Sequence, residues 1–225
     1  MDALMDFWTS FKRLPSAWLL LVQLSILMLS VFAHASESYQ ILTWAVGVLA
    51  LLIIAKVIHQ TPVFTVLGLL LVSGACSFSF LMLIGWGATW IQITSHSFEA
   101  AAYFCAAYGL VRYMFAAGYL TKDALFAAAA VFTLIAWGFA FLYNICQLIQ
   151  PQSFQNPNHV ANYQTWLDLL FLSFSLQSAT GLSDVTPITP AVRVLAMLQM
   201  FVGVMYLALI VSRLIALHYI ARQSD

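Results

Sequence analysis

Six apolar stretches separated by short polar interruptions dominate the chain: Pro15–His34, Ile41–Val57, Val63–Trp86, Ala100–Tyr119, Ala124–Ile149 and Ala191–Leu217. Crossing the hydrocarbon core of a bilayer takes about 20 helical residues, and each stretch meets or approaches that length. Charged residues make up 7% of the chain and hydrophobic ones 63%, against about 25% and 45–50% in soluble domains. Lipid is therefore the expected solvent for most of the surface, and the expected class is an all-α integral membrane protein with six transmembrane helices. Residues 1–35 also fit a cleavable signal, with Lys12 and Arg13, an apolar core and Ala33-His34-Ala35. The run is long for a signal core, which favours a retained span.

Basic residues assign the sides. With a cytoplasmic N terminus, Lys12, Arg13, Lys56, Lys122, Arg213 and Arg222 fall on the inner face. Only Arg193 falls outside, and Arg112 lies within the fourth stretch. The positive-inside rule thus predicts both termini in the cytoplasm of a plasma (bacterial inner) membrane. The outer loops then carry Glu37 and Glu99. Trp8, Trp18, Trp86, Trp90 and Trp166 lie near stretch ends, where interfacial anchors belong. No polar tail follows the sixth stretch, so no cytoplasmic ligand-sensing domain is expected.

Several function classes find no support. Formal net charge is zero, which points to no nucleic-acid partner. Cys76, Cys105 and Cys146 lie inside apolar runs without metal-ligand spacing and read as packed thiols. The five histidines read as residues of stretch ends and loops. No nucleophile has a base beside it, so no enzyme is expected. No internal repeat suggests a two-half transporter. Neither a cofactor nor a resident metal is expected.

Between the fifth and sixth stretches lies a shorter apolar run, Trp166–Leu176, of only 11 residues. It is too short to span, and its neighbours leave and re-enter the same side. A helix that dips into the membrane and returns is the economical solution. The following segment, Ser178-Ala-Thr-Gly-Leu-Ser-Asp184, is thereby placed at membrane depth. Irregular backbone there must be buried in protein or line water, because each unsatisfied group facing hydrocarbon costs several kcal/mol. Ser178, Thr180, Ser183 and Asp184 add side-chain oxygens to the backbone carbonyls. The short helix, ending near Gln177, would aim its partly negative end inward. Acceptors and dipole both suit a cation.

From Ala124 onward these parts resemble the pore domain of tetrameric potassium channels. The family filter reads Thr-Val-Gly-Tyr-Gly, with Asp and a nearby Pro after it. Aligned on the aspartate, this chain has Ala179, Thr180, Gly181, Leu182, Ser183, Asp184 and then Pro187. Thr189-Pro-Ala-Val-Arg193 and Leu195–Ala208 are similar to the inner helix of many bacterial members. The resemblance implies a pore domain at 124–225, preceded by a four-helix domain at 1–123 that matches only in segment number and topology. With Arg112 alone, that first domain lacks the arginine ladder of a voltage sensor.

The resemblance further implies a homotetramer, since one loop lines a quarter of a filter. It implies monovalent-cation contacts at the carbonyls of Ala179, Thr180, Gly181 and Leu182 and at the Thr180 hydroxyl. Asp184 would concentrate cations at the mouth, and Asp168 would support the pore helix. Gly203 falls at the family's hinge position, with close helix packing as the alternative reading.

Four departures have physical consequences. Ala179 lacks the hydroxyl of the innermost filter site, and Thr180 offers one where the family has valine. Leu182 cannot make the hydrogen bond of the family's tyrosine. Ser183 replaces a glycine that turns left-handed, a conformation costing a non-glycine residue about 1–2 kcal/mol. The outer half of the filter is expected to relax into a wider shape, with Gly181 still turning the chain. The expected function is a monovalent cation channel weakly selective between potassium and sodium. The alternatives are a potassium-selective channel despite the altered filter, and a non-conducting pore-like scaffold subunit.

Overall fold

The computed structural model describes residues 15–32, 62–86, 88–116, 122–157 and 163–223. In chain order these form α1 (Pro15–Phe32), α2 (Pro62–Leu83), α3 (Thr89–Ala116), α4 (Lys122–Ile149), β1 (Phe154–Gln155), α5 (Trp166–Gln177), β2 (Thr186–Pro187) and α6 (Pro190–Gln223). The described residues are all-α apart from one two-residue strand pair that flanks α5. The second stretch, Ile41–Val57, lies outside the described residues, as do Trp8, Lys12, Arg13, Glu37, Lys56 and the candidate cleavage site. Among the described residues, two segments are long and apolar enough to cross a membrane, Asp123–Ile149 with 27 residues and Pro190–Arg213 with 24. Ser16–Ser30, Val66–Met82 and Trp166–Gln177 are shorter apolar helices.

The helix starts follow from local chemistry. Pro15, Pro62 and Pro190 each open a helix, where a preset φ helps and the missing N–H would have had no partner. Asp123, buried in the first turn of α4, accepts hydrogen bonds from Ser16 N (3.3 Å) and Ser16 Oγ (3.1 Å) in the first turn of α1. One carboxylate therefore faces the positive ends of two helices. Further along, Thr133 of α4 donates to Gln23 of α1 at 2.6 Å, so the two helices run parallel.

The other neighbours are antiparallel. Phe78 stacks on Phe98, and Tyr103 on Trp137 at 5.9 Å, which orders α2, α3 and α4. Tyr143 bonds Gln199 and Tyr206 bonds the Ala128 carbonyl, so α6 runs back along α4. At the far end Arg213 donates to the carbonyls of Met114 and Phe115, the last turn of α3. A cation there complements the negative helix end. The ends of α3 and α6, and the starts of α1 and α4, consequently share one side of the bundle.

The core follows α4. Ala127, Ala130, Ala136 and Ala140 are fully buried along it, and Ala102, Ala106 and Ala107 face it from α3. Small side chains let the two backbones approach and pack by dispersion.

The fourth stretch needs correction. Its helix begins at Thr89 rather than Ala100, so Glu99 and His96 belong to the interior of α3 and not to a loop. Trp166, expected as an interfacial anchor, packs instead on Phe141 (4.5 Å) and Trp137 (6.0 Å) of α4.

Candidate functional site

Helix α5 is fixed at both ends and along its length. At its start Thr165 and Asp168 form a reciprocal capping box: Asp168 N donates to Thr165 Oγ1 (3.2 Å), and Thr165 N donates to Asp168 Oδ2 (3.2 Å). Two orphan N–H groups are thereby satisfied. Asp168 supports α5 from its N terminus, and it does so by capping, not by bracing the loop beyond Gln177.

Along its length α5 is clamped by polar groups buried among apolar helices. Gln199 of α6 accepts from Tyr143 Oη of α4 (2.7 Å). Its amide nitrogen donates to Ser173 Oγ (2.6 Å), Ser173 O (3.0 Å) and Gln177 Oε1 (3.3 Å). Ser173 Oγ donates onward to the Ala136 carbonyl (2.6 Å), and Gln177 Nε2 to the Phe132 carbonyl (2.7 Å). Tyr143, Ser173, Gln177 and Gln199 are all 0% exposed. Every bond in this set crosses between helices, so it specifies both the depth and the rotation of α5. Gly203 completes the clamp. A Cβ built there would meet the Gln177 backbone, with its Cα at 2.9 Å, its carbonyl carbon at 3.0 Å and its carbonyl oxygen nearer still. The residue proposed as a hinge is thus the point where α6 crosses the end of α5 too closely for any side chain.

The α5 C terminus ends as a Schellman motif. Ala179 N donates to Leu176 O (3.2 Å), and Thr180 N to Ser175 O (3.1 Å). The residue that turns left-handed is Ala179, with φ of 58°. Glycine usually fills this place, and alanine costs about 1–2 kcal/mol more. Gly181 is left-handed too, at φ of 65°. Ser183 is not, so the position where the family uses its second glycine takes an ordinary conformation here.

Ser175 gathers the loop. Its carbonyl also accepts from Gly181 N (3.3 Å), and its buried hydroxyl accepts from Ser183 N (3.1 Å). Thr180 Oγ1 lies 3.1 Å from Ser178 Oγ and 3.4 Å from Ser175 O. Ser178 Oγ in turn donates to Phe174 O at 2.7 Å. The N–H groups of Ser178, Ala179, Thr180, Gly181 and Ser183 are therefore all turned back onto α5. In contrast, no donor among the described residues reaches the carbonyls of Ala179, Thr180, Gly181 or Leu182. These residues are exposed, Leu182 at 69%. From Ala179 to Leu182 four carbonyls lack donors among the described residues, against one N–H, that of Leu182, without an acceptor.

Its far end is anchored as well. Val185 N donates to Ser183 Oγ (3.1 Å), a local turn that sets the direction of exposed Asp184. Beyond it Thr186–Pro187 pairs antiparallel with Phe154–Gln155, and Ile188 N donates to Ser153 O (2.9 Å). Arg193 Nε donates to the Pro187 carbonyl (3.2 Å).

The sequence placed Ser178 to Asp184 together, and they form one surface. Asp168 and Gly203 lie elsewhere, at the start of α5 and against its end. Ser173, Ser175, Gln177, Gln199 and Tyr143 were missed. A signal existed: Ser173 and Gln177 are polar and four apart in a mostly apolar helix, and so face one way. No family model, characterised protein or solved structure matches the chain.

Proposed function

We propose that the chain is the subunit of a homotetrameric membrane channel for monovalent cations, with residues 178–184 as its ion-contacting loop. The observation that carries this reading is the polarity of the loop. The N–H groups of Ser178 to Gly181 and of Ser183 are consumed by Ser175, Phe174 and Leu176, while no donor among the described residues reaches the carbonyls of Ala179 to Leu182, all exposed residues. Four such arrays around one axis supply rings of oxygen to a dehydrating cation. The resemblance of residues 124–225 to potassium-channel pore domains agrees in order: long apolar helix, short helix, loop, long apolar helix.

Selectivity between potassium and sodium is weak on this reading. Ala179 brings no hydroxyl to the inner site, and the Thr180 hydroxyl is held by Ser178 and Ser175. Leu182 makes no brace, and the Ser183 backbone is tied to Ser175 in a non-left-handed conformation. Flux of potassium, sodium and a large organic cation into liposomes tests the reading. Wild type is expected to pass both small cations and exclude the large one. Leu182→Tyr combined with Ser183→Gly is expected to favour potassium. Absence of flux from both proteins would favour a scaffold subunit, and a strong potassium preference in wild type would sink the weak-selectivity reading.

A further inference from the structure

A second polar chain runs from α3 to the start of α5, and its polarity is fixed by a backbone group. Gln164 N donates to Gln147 Oε1 at 2.9 Å. A backbone amide can only donate, so the Gln147 nitrogen must point the other way. It donates to Gln164 O (3.2 Å) and to Asn144 Oδ1 (2.7 Å). Asn144 then turns its own nitrogen toward His96 Nε2 at 3.0 Å, which must accept. His96 therefore carries its proton on Nδ1 and donates it to Glu99 Oε2 at 2.8 Å. Each side chain has one permitted orientation, and Gln164 directly precedes Thr165, the N-cap of α5.

We propose that His96, with Glu99, is a proton-binding site whose occupation is transmitted through Asn144 and Gln147 to the start of α5. A proton taken from water onto Nε2 creates an N–H facing the Asn144 nitrogen. Two donors then meet, and that bond opens. Turning over the Asn144 and Gln147 amides only moves the conflict, because it brings the Gln147 nitrogen against Gln164 N–H. In either case one link between α3 and the α5 cap is lost.

The surroundings make the proton's effect specific. On α3, Glu99 is the charged partner, and its other oxygen accepts from Ser79 Oγ of α2 at 3.3 Å. Cys76 of α2 and Tyr103 of α3 lie within electrostatic reach of Glu99. From α4 the imidazole meets the Asn144 amide and the Phe141 ring (5.6 Å), neither of which titrates. Histidine is the side chain that changes charge between about pH 5 and 8, so acid is the stimulus and the described part of the first domain is its receiver.

Hydrogen exchange of the full chain in lipid nanodiscs, followed peptide by peptide between pH 8 and 5, tests this against two variants. His96→Gln cannot take up the proton. In Asn144→Asp a carboxylate accepts from both protonated His96 and Gln147, so the charged chain keeps every bond. At pH 5, exchange over residues 163–170 of wild type should exceed that of both variants by about fivefold, the equivalent of one hydrogen bond. At pH 8, wild type and His96→Gln should agree. If His96→Gln does not fold, Asn144→Asp alone decides. Equal exchange in wild type and variants at pH 5 would overturn the proposal. The readout needs no ion gradient, so a chain that exchanges as expected but passes no ions overturns the channel reading and leaves this one standing.

Discussion

At the scale of single residues, the loop balances one strained position against one hub. Ala179 holds a left-handed backbone that glycine would adopt without strain. Ala179→Gly should therefore raise stability by about 1 kcal/mol per subunit, read as a higher midpoint of thermal unfolding in detergent. No gain would mean that the Schellman turn is not held in the detergent-solubilised chain. Ser175→Ala removes the acceptor of Ser183 N–H while leaving the Ser175 carbonyl in place. The loss is about 1 kcal/mol, with faster amide exchange at Ser183 and little change at Thr180. Gly203→Ala separates two readings of one residue. Packing against Gln177 requires the helices to part, at about 1–3 kcal/mol. A hinge role alone leaves stability unchanged and alters only opening.

At the scale of elements, α5 is held more by polar side chains than by its own length. It has 12 residues, too few for autonomous stability in water. Gln199 joins α4, α5 and α6 through Tyr143, Ser173 and Gln177. Gln199→Leu leaves those partners buried and underbonded, each at about 1–3 kcal/mol. Lower thermal stability, with exchange rising first in α5, is the expected outcome; unchanged exchange there would show that apolar packing alone fixes the helix.

The reach of the sequence is clearest among these elements. The end of α5 at Gln177 was legible because the apolar run stops there and small polar residues follow. Helices α4 and α6 were legible from length and hydropathy. The start of α3 was not. Thr94, Ser95, His96, Ser97 and Glu99 read as a loop because each is polar, yet the helix satisfies them. Thr94 and Ser97 bond the carbonyls of Trp90 and Ile93, four residues back, while Ser95 meets Ser79 and His96 meets Glu99. Such pairings depend on helix phase and on a neighbouring helix, which composition does not encode. The same holds in the loop. Its place between a short apolar helix and the last long one followed from segment length, whereas the choice of Ala179 over Ser183 for the left-handed turn follows from the hydrogen bonds to Ser175.

At the scale of the whole molecule, the two long apolar helices differ in how much the subunit covers them. Of the apolar length of α4, 61% is buried, and of that of α6 only 28%. Met197, Phe201, Val204 and Met205 present a continuous exposed apolar face on α6, where positions three and four apart fall on one side. In the proposed tetramer this helix lies nearest the axis, beside the acceptor loop. Phe201→Cys, oxidised in membranes, should give crosslinked species, and a mild chemical crosslinker should give a ladder that stops at four. A ladder ending at two would remove the basis for a fourfold ring of loops.

In the proposed channel, residues 178–184 line a cation pathway of low selectivity. It is tested most directly by the reversal potential of the wild-type chain in a planar bilayer with potassium on one side and sodium on the other. The expected reversal lies within about 60 mV of zero, which is a permeability ratio within about tenfold and a difference of about 1.4 kcal/mol in the passage of the two ions. A reversal beyond about 100 mV in the direction of potassium preference, or a current carried by anions, would contradict it.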